Sequence, residues 1–434
     1  MTKIFEGAPE KPQVAPILGQ TADVFNPAKA ENISFNREFA DYMGGLADKN
    51  VVVYEESDGP PDYTYTTNGA IHFDRLAEVY YEFSNNSWRN RQTGGVLQRS
   101  ALLNRVINGA MNVNQRKSVV TVGEGGLVGY SVDRFGGLRD GSGLAFRLEQ
   151  STDAPATFTN SLKATSTAGG AVVDGMVSSI VHPIEGLNMV GSGFGTIDAQ
   201  KLSVQFWVKT SVAGDFPFMM ANAARDRVYG KLFTVNAADT WQRIMFTIDG
   251  DQAGTWLFDT DVGIYVYWGL GAAGDSRTVT ADTWSAAHTA GAILGTVAGA
   301  TSLLDVSGAT MHLTGVQIEV ADAPSAFQHK ARGVELSECQ RYYHEGEYRG
   351  TFSFYATNTS LVHVSLPVAM RAAPSAAATL VEIRGANGGT VASNGVGINR
   401  SMPGNVTFTP MAASGVPHNS VGLGLITYSL DAEL

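Results

Sequence analysis

Cys339, the only cysteine of the 434-residue chain, lies in ELSECQRYYHEGEYRG (335–350), five residues before His344. A thiolate held by a cation, with histidine as base, would make a nucleophile of it. The segment has a helical stripe, with Leu336, Cys339 and Tyr343 at i, i+3 and i+7. On such a helix, residues five apart point about 140° away from each other, so Cys339 and His344 do not meet. Free cysteine is among the most buried residue types, and Cys339 is read as core.

Other motifs are weaker. The glycine-rich stretches GEGGLVG (123–129) and GSGFG (191–195) lack both the G-x-G-x-x-G spacing and the G-K-[ST] ending of phosphate loops, and read as turns. DGD (249–251) and DTD (259–261) offer paired carboxylates without the oxygen-rich loop and terminal Glu of a Ca²⁺ site. Hairpin-turn aspartates are the first reading, and a structural cation such as Ca²⁺ held across the loops is the alternative. No cofactor and no metal is otherwise expected. There is no G-x-S-x-G and no H-E-x-x-H. Glycosidase carboxylates are matched in space rather than along the chain, so a motif search does not decide that case. The expectation is a protein that is not an enzyme.

Aromatic side chains are the remaining candidates. Trp207, Tyr265 and Tyr267 alternate with aliphatic residues and fall on the opposite faces of their strands, where a ring can stack on a sugar. The loop GLGAAGDSRT (269–278) adds Asp275 and Arg277 as polar partners. In the alternative, both sheet faces are covered, or the rings pack against a neighbouring subunit.

The elements that would position these residues are strands. Hydrophobic residues make up 44% of the chain, and 49 glycines punctuate it, the texture of many short strands and turns. KLSVQFWVKTS places Leu202, Val204, Phe206 and Val208 on one face and Ser203, Gln205, Trp207 and Lys209 on the other. WQRIMFTIDGDQAGTW repeats the pattern with Ile244, Phe246 and Ile248, and GIYVYWGLG with Ile264, Val266 and Trp268. In MHLTGVQIEV the apolar phase slips from Met311 and Leu313 to Val316, Ile318 and Val320, which predicts a β-bulge at Gly315. Strands joined by turn-rich loops without amphipathic helices between them predict a two-sheet sandwich.

Either end of the chain differs from this middle. Residues 1–90 hold 7 Lys/Arg against 14 Asp/Glu, and the opening GAPEKPQVAPILG reads as an extended arm. NISFNREFADYMGGL predicts a short helix ending at Gly44-Gly45, while DRLAEVYYEF fits helix or strand. At the other end, residues 351–430 contain four charged side chains, Arg371, Glu382, Arg384 and Arg400. A domain that poor in charge exposes too much apolar surface alone and is expected to be covered by copies of itself.

With 30 Lys+Arg against 41 Asp+Glu the net charge is −11, which excludes a partner held through phosphates, so no nucleic acid is expected. Uncharged windows such as AILGTVAGATSLL (292–304) are too short and too broken to insert in a membrane. MTKIFEGAPEKPQ lacks the pattern of a signal peptide, so synthesis and folding in a cytoplasm are expected. A single cysteine excludes an intramolecular disulfide framework.

Six segments carry a family likeness: NRVINGAMNVNQR (104–116), YSVDRFGG (130–137), KLSVQFWVKTSVAGDF (201–216), TWQRIMFTIDGDQAGTW (240–256), GVQIEVADAPSAFQHK (315–330) and ECQRYY (338–343). Their order resembles that of phage tail-fibre and related virion fibre proteins with a carbohydrate-binding jelly roll. VSLPVAMRAAPS (364–375) is similar to the start of the family's C-terminal knob. Phe135 stands where the family often has Trp, Asp249 where Pro is common, and Lys330 where Arg is usual. The resemblance implies a homotrimeric virion fibre that attaches to host-surface glycan and is held by capsid or tail proteins through its N-terminus. It implies no catalytic residue. The resulting reading is mainly β: an irregular virion-anchoring segment (1–95), a jelly-roll β-sandwich (96–335), a helical joint (336–345) and a small trimeric β-knob (346–434). In the joint, Cys339 and Tyr343 would pack, Glu338 and Arg341 would make polar contacts around them, and Tyr342 belongs to the same cluster. The rival roles are a head decoration or vertex fibre that binds nothing, and a tail-associated polysaccharide depolymerase.

Overall fold

The computed structural model describes four short strands between residues 54 and 90 and, from residue 104 onward, all but 123–128, 141–143, 288–294, 357–358, 385–389, 392 and 413–420. The predicted arm and the predicted helix over NISFNREFADYMGGL lie outside the described residues. Two compact units divide the chain, Met1–Ala101 and Leu102–Leu434.

In the first unit, β1 (Tyr54–Ser57), β2 (Ile71–Asp74), β3 (Val79–Ser84) and β4 (Ser87–Asn90) form one sheet in that order. β1 and β2 are parallel and the other pairs antiparallel. DRLAEVYYEF, which fitted helix or strand, supplies β3.

The second unit opens with a sandwich built from β5 (Val120–Thr121), β6 (Gly129–Val132), β7 (Phe135–Asp140), β8 (Phe146–Ser151), β9 (Ser161–Ser166), β10 (Val177–Glu185), β11 (Leu202–Thr210), β12 (Gly214–Asn222), β13 (Arg227–Val235), β14 (Gln242–Ile248), β15 (Val262–Ala272), β16 (Thr278–Val279), β17 (Trp284–Ala286), β18 (Thr296–Val297) and β19 (Thr310–Val320). One sheet has seven strands in the order β17-β13-β12-β15-β10-β7-β6, and the facing sheet six, β14-β11-β19-β9-β8-β5. All pairings inside these two sheets are antiparallel.

The alternation in β11 sends Leu202, Val204, Phe206 and Val208 into the core, each fully buried. Burying such a side chain contributes about 1.5–3 kcal/mol. Phe206, Phe218, Phe233, Phe246 and Trp268 meet there at ring-centroid distances of 5.1–6.4 Å. The predicted bulge is present: the β11–β19 register shifts between Gln205 and Trp207. Gly315 takes a φ of 63° there, a left-handed conformation that glycine adopts without a steric penalty.

The outer faces of the two sheets differ. On the seven-stranded sheet, Val279 of β16 and Val297 of β18 bury themselves against Leu138, Val181, Met219, Ala221, Val228 and Tyr267, so a second hydrophobic layer covers that face. The six-stranded sheet instead turns polar side chains outward from the same strands, among them Lys163, Lys209 and Arg243.

Helix α1 (Arg332–Gln340) follows the sandwich, and the chain then enters a sheet made of β20 (Tyr343–Ala356), β21 (Thr359–Ser365), β22 (Ser375–Arg384), β23 (Thr390–Val391), β24 (Ser393–Met402), β25 (Asn405–Ala412) and β26 (Val421–Asp431), in the order β23-β22-β26-β20-β21-β25-β24. Its own core holds Phe352, Phe354, Ile383, Phe408, Ile426 and Leu430. The helix predicted over 336–345 therefore sits earlier, and Tyr343 belongs to a 14-residue strand paired with Asp431. Strand pairing with the chain's last strand outweighs the local helical pattern. Tyr342, fully buried, takes the place beside Cys339 that the helical stripe assigned to Tyr343, with Ile107 and Val113 completing the cluster.

Among the described residues, no helix is long and apolar enough to cross a membrane.

Candidate functional site

The sandwich opens at the side where β13 and β17 face β14. β13 reads RVYGKLFTV, and the residues on its inward face are Arg227, Tyr229, Lys231, Phe233 and Val235. Phe233 and Val235 seal the core. Arg227 and Lys231, at the same pleat positions, are too costly to bury unpaired and stay half-buried at the mouth. A cleft of about 790 Å³ results, completed by Lys201, Thr247, the Asp249–Ala253 turn and residues 282–284.

One wall is aromatic. Trp284 lies 5.4 Å from the ring of Tyr229, 5.3 Å from Trp256 and 5.7 Å from Phe194, and its indole N–H donates to the Asp249 carbonyl at 2.7 Å. Trp256 and Phe194 back it edge-on at 4.9 Å from each other, so the indole is held in place while remaining half-exposed.

The polar wall consists of ion pairs. Arg227 grips Asp251 with two hydrogen bonds, Nε to Oδ2 at 2.8 Å and Nη2 to Oδ1 at 2.6 Å. The same carboxylate accepts from the Ala253 amide at 3.1 Å. Asp251 is buried, and its bonds to Arg227 hold the guanidinium above its ordinary pKa. Lys231 reaches Asp282 at 2.5 Å, and the Tyr229 hydroxyl donates to the same carboxylate oxygen at 3.4 Å. Burial first, and the Asp282 charge second, push the Tyr229 hydroxyl up, which keeps it a neutral donor. Lys201 and Asp249 stand 3.4 Å apart in open solvent. Gly254, with φ 81°, shapes the floor: a Cβ there would come within 2.3 Å of Arg227 Cγ. The Asn222 side chain fixes the start of β13, accepting from the Arg227 amide at 3.1 Å and donating to the Thr255 carbonyl at 3.0 Å. A concave site with an aromatic wall and alternating donors and acceptors suits a ligand rich in hydroxyls.

The residues proposed from sequence do not converge on this cleft or on one another. Tyr267 is fully buried beneath the β16/β18 layer, where it cannot meet a ligand. Tyr265 is half-buried, with the Arg225 guanidinium 4.4 Å above its ring, and Arg225 also donates to the Tyr267 hydroxyl at 3.2 Å. Asp275 and Arg277 form a short 3-10 turn. Arg277 ties that turn to Asp140 at 2.5 Å and to the Gly175 carbonyl at 3.0 Å. Trp207 lies on the outer face of the other sheet, half-buried beside Phe158 over the bare Cα of Gly315.

The cleft residues escaped the motif search because they come from the segment before β11, from β13, β14 and β17, and from two turns. A signal existed in RVYGKLFTV, where two cations occupy core-facing positions of a strand. Inward charges on a strand next to the sheet edge, where only the short β17 lies outside it, mark a site.

The joint is built differently. Arg341 pairs with buried Glu185 through two bonds at 3.2 and 2.6 Å, and the Tyr342 hydroxyl donates to the same carboxylate. Tyr343 receives the Arg116 guanidinium 3.6 Å above its ring. Glu338 binds Lys330 at 2.7 Å, away from that network. Burial pushes the Cys339 thiol well up, so the nucleophilic form is disfavoured. The chain's end completes the joint. Arg134, wholly buried, pairs with Glu433, donates to the Pro183 carbonyl at 2.6 Å and stacks 3.6 Å from the Tyr342 ring. Arg116 meets Glu433 at 3.2 Å and Asp431 at 3.3 Å.

Among the described residues, no group of three or more His, Cys, Asp or Glu is placed to hold a metal ion.

No protein-family model and no curated protein matches the chain. Solved structures do. The family 11 carbohydrate-binding module of the cellulosomal cellulase Lic26A-Cel5E of Clostridium thermocellum is 13% identical over 46% of this chain and 96% of that one, with a TM-score of 0.24. The tandem CBM22-1-CBM22-2 domain of Paenibacillus barcinonensis Xyn10C is 12% identical over 73% and 93%, with a TM-score of 0.22. The enzymatically active domain of tailspike protein 4 of bacteriophage CBA120 is 8% identical over 50% of this chain and 22% of that one, with a TM-score of 0.24. At TM-scores this low, the likenesses carry no argument about ligand or role.

Proposed function

We propose that the chain binds glycan in the β13/β14 cleft and serves as a virion fibre in host attachment. The observation that carries the binding reading is that half-exposed Trp284 and three hydrogen-bonding ion pairs line the same open cleft of about 790 Å³. Support for the fibre role comes from the six ordered segments that resemble virion fibres and from the four charges in residues 351–430. The C-terminal sheet also exposes Val381, Val421 and Leu423, each more than half accessible, an apolar surface suited to a homotrimer. Three copies turn weak contacts into useful avidity. The reading includes synthesis in a host cytoplasm, an N-terminal segment held by capsid or tail proteins, and no catalysis.

The test has two arms. Excess purified chain should block adsorption of the particle to its host, and gold-labelled antibody should mark the chain on intact particles. An unblocked host together with unlabelled particles contradicts the proposal. Sedimentation of the purified chain should give the mass of a trimer. Incubation with host polysaccharide should leave its length unchanged, whereas shorter products favour a depolymerase.

A purely structural fibre is the second reading. It is favoured by Tyr267, which is buried, and by Arg277, which is engaged in holding its own turn. Labelled particles with unblocked adsorption would support it.

A further inference from the structure

Resting on the glycan reading of the cleft, we infer that its ligand is an uncharged saccharide, recognised through vicinal hydroxyls bridged across ion pairs, and that acidic polysaccharides are excluded. The charged side chains of the cleft are Lys201, Arg227, Lys231, Asp249, Asp251 and Asp282. They form three pairs inside the cleft: Lys201 with Asp249, Arg227 with Asp251, and Lys231 with Asp282. The site is therefore neutral as a whole.

A carboxylate on the ligand would have to displace Asp249, Asp251 or Asp282 from its cation, with no net positive charge in the cleft to favour the exchange. Displacing Asp251 would leave a buried carboxylate without its guanidinium, held only by the Ala253 amide, which is strongly unfavourable. A neutral sugar needs no such exchange. One hydroxyl accepts from Lys231 while its neighbour donates to Asp282, and the pair stays intact. Asp282 is 61% accessible and the Lys231 side chain 27%, so both keep capacity facing solvent. Trp284 then supplies the apolar face against which the ring lies.

Because the recognition is by paired charges of zero sum, affinity should depend little on salt. An anionic ligand held by free lysines would lose affinity steeply as salt screens it.

The experiment is affinity electrophoresis of the full chain through gels carrying dextran, mannan, polygalacturonate or alginate, at low and high salt. A neutral polymer should retard the chain equally at both salt levels, and the acidic polymers should not. Asp282→Asn, at an exposed position, should cut the retardation constant about tenfold, and Trp284→Ala should abolish it, with thermal melts confirming that Asp282→Asn folds. Retardation by polygalacturonate or alginate alone, weakened by salt, overturns the inference and leaves glycan binding standing. No retardation by any of the four, joined with failure of the chain to block adsorption, removes the glycan reading itself.

Discussion

The cleft and the joint use the same parts to opposite ends. Each sets an arginine bidentate on a carboxylate beside aromatic rings: Arg227 on Asp251 near Tyr229 and Trp284, and Arg341 on Glu185 beside Tyr342. In the cleft Asp251 is buried, but Lys201, Asp249, Lys231 and Asp282 face solvent in part or largely and keep unused hydrogen-bonding capacity. In the joint, Glu185, Arg134 and Tyr342 are almost wholly buried, and their capacity is taken up by one another, by Glu433 and by the Pro183 carbonyl. Burial decides the outcome. A charge pair at a solvent-facing edge can offer its free donors and acceptors to a ligand, whereas a buried one costs several kcal/mol to open and acts as a lock.

The strongest way to break the lock is to remove Glu433. Arg134 would then be a buried cation with only a carbonyl and a ring for company. Glu433→Ala should cost about 3–5 kcal/mol, read as a shift in the urea midpoint. Replacing Arg134 and Glu433 together by Met and Leu should restore most of that loss, because an apolar pair of similar volume avoids the stranded charge. If both variants lose equally, the network is not what holds the end of the chain.

The joint should also respond to pH. Burial pushes the Glu335 carboxyl, packed near Cys339 on α1, up to about 7. The folded state therefore holds its proton more tightly than the unfolded chain does. Stability from this group is fully present below the unfolded pKa, near 4.5, and falls as pH rises through about 7. The loss should be on the order of 3 kcal/mol. Melts across that window should show the decline in the native chain and a flatter profile in Glu335→Gln. An equal slope in both would mean that Glu335 is solvated.

How much of this could be read from the chain follows from the same contrast. Alternation with a period of two made β11, β14, β15 and the Gly315 bulge legible, because each depends on neighbours within one strand. Arg341 enters the joint through the resemblance carried by ECQRYY and through no periodicity of the chain. Glu433 and Arg134 could not be paired in advance, since they meet only where the residues after β26 reach the turn between β6 and β7. Tyr265 and Tyr267 were correctly placed on the outward face of β15, but the alternation of one strand carries no information about the layer of Val279 and Val297 that covers it. The cleft was missed because its residues meet only where two sheets end side by side.

Opening a cleft pair should cost far less than opening the lock. The Lys231 and Asp282 side chains are 27% and 61% accessible, so Lys231→Met should cost about 1 kcal/mol or less, below the Glu433→Ala loss. Binding of a neutral polysaccharide should weaken about tenfold. A stability loss as large as that of Glu433→Ala would erase the distinction between the two regions.

Trp207 gives the finest test of where the ligand sits. It is an aromatic residue on an outward strand face, as is the sugar-stacking role first suggested for it, but it lies on the six-stranded sheet beside Phe158, whose ring is 5.0 Å from Phe327 and 5.1 Å from His329. Those rings cluster with one another over Gly315, and a charge pair of that face, Lys209 with Asp153, sits beside Trp241 instead. Trp207→Ala should remove packing on that face at a cost of about 1 kcal/mol while leaving retardation by the neutral polymer within about twofold of the native chain. A loss of retardation in this variant, with the cleft residues untouched, would move the site to the six-stranded sheet and make the β13/β14 opening a structural seam.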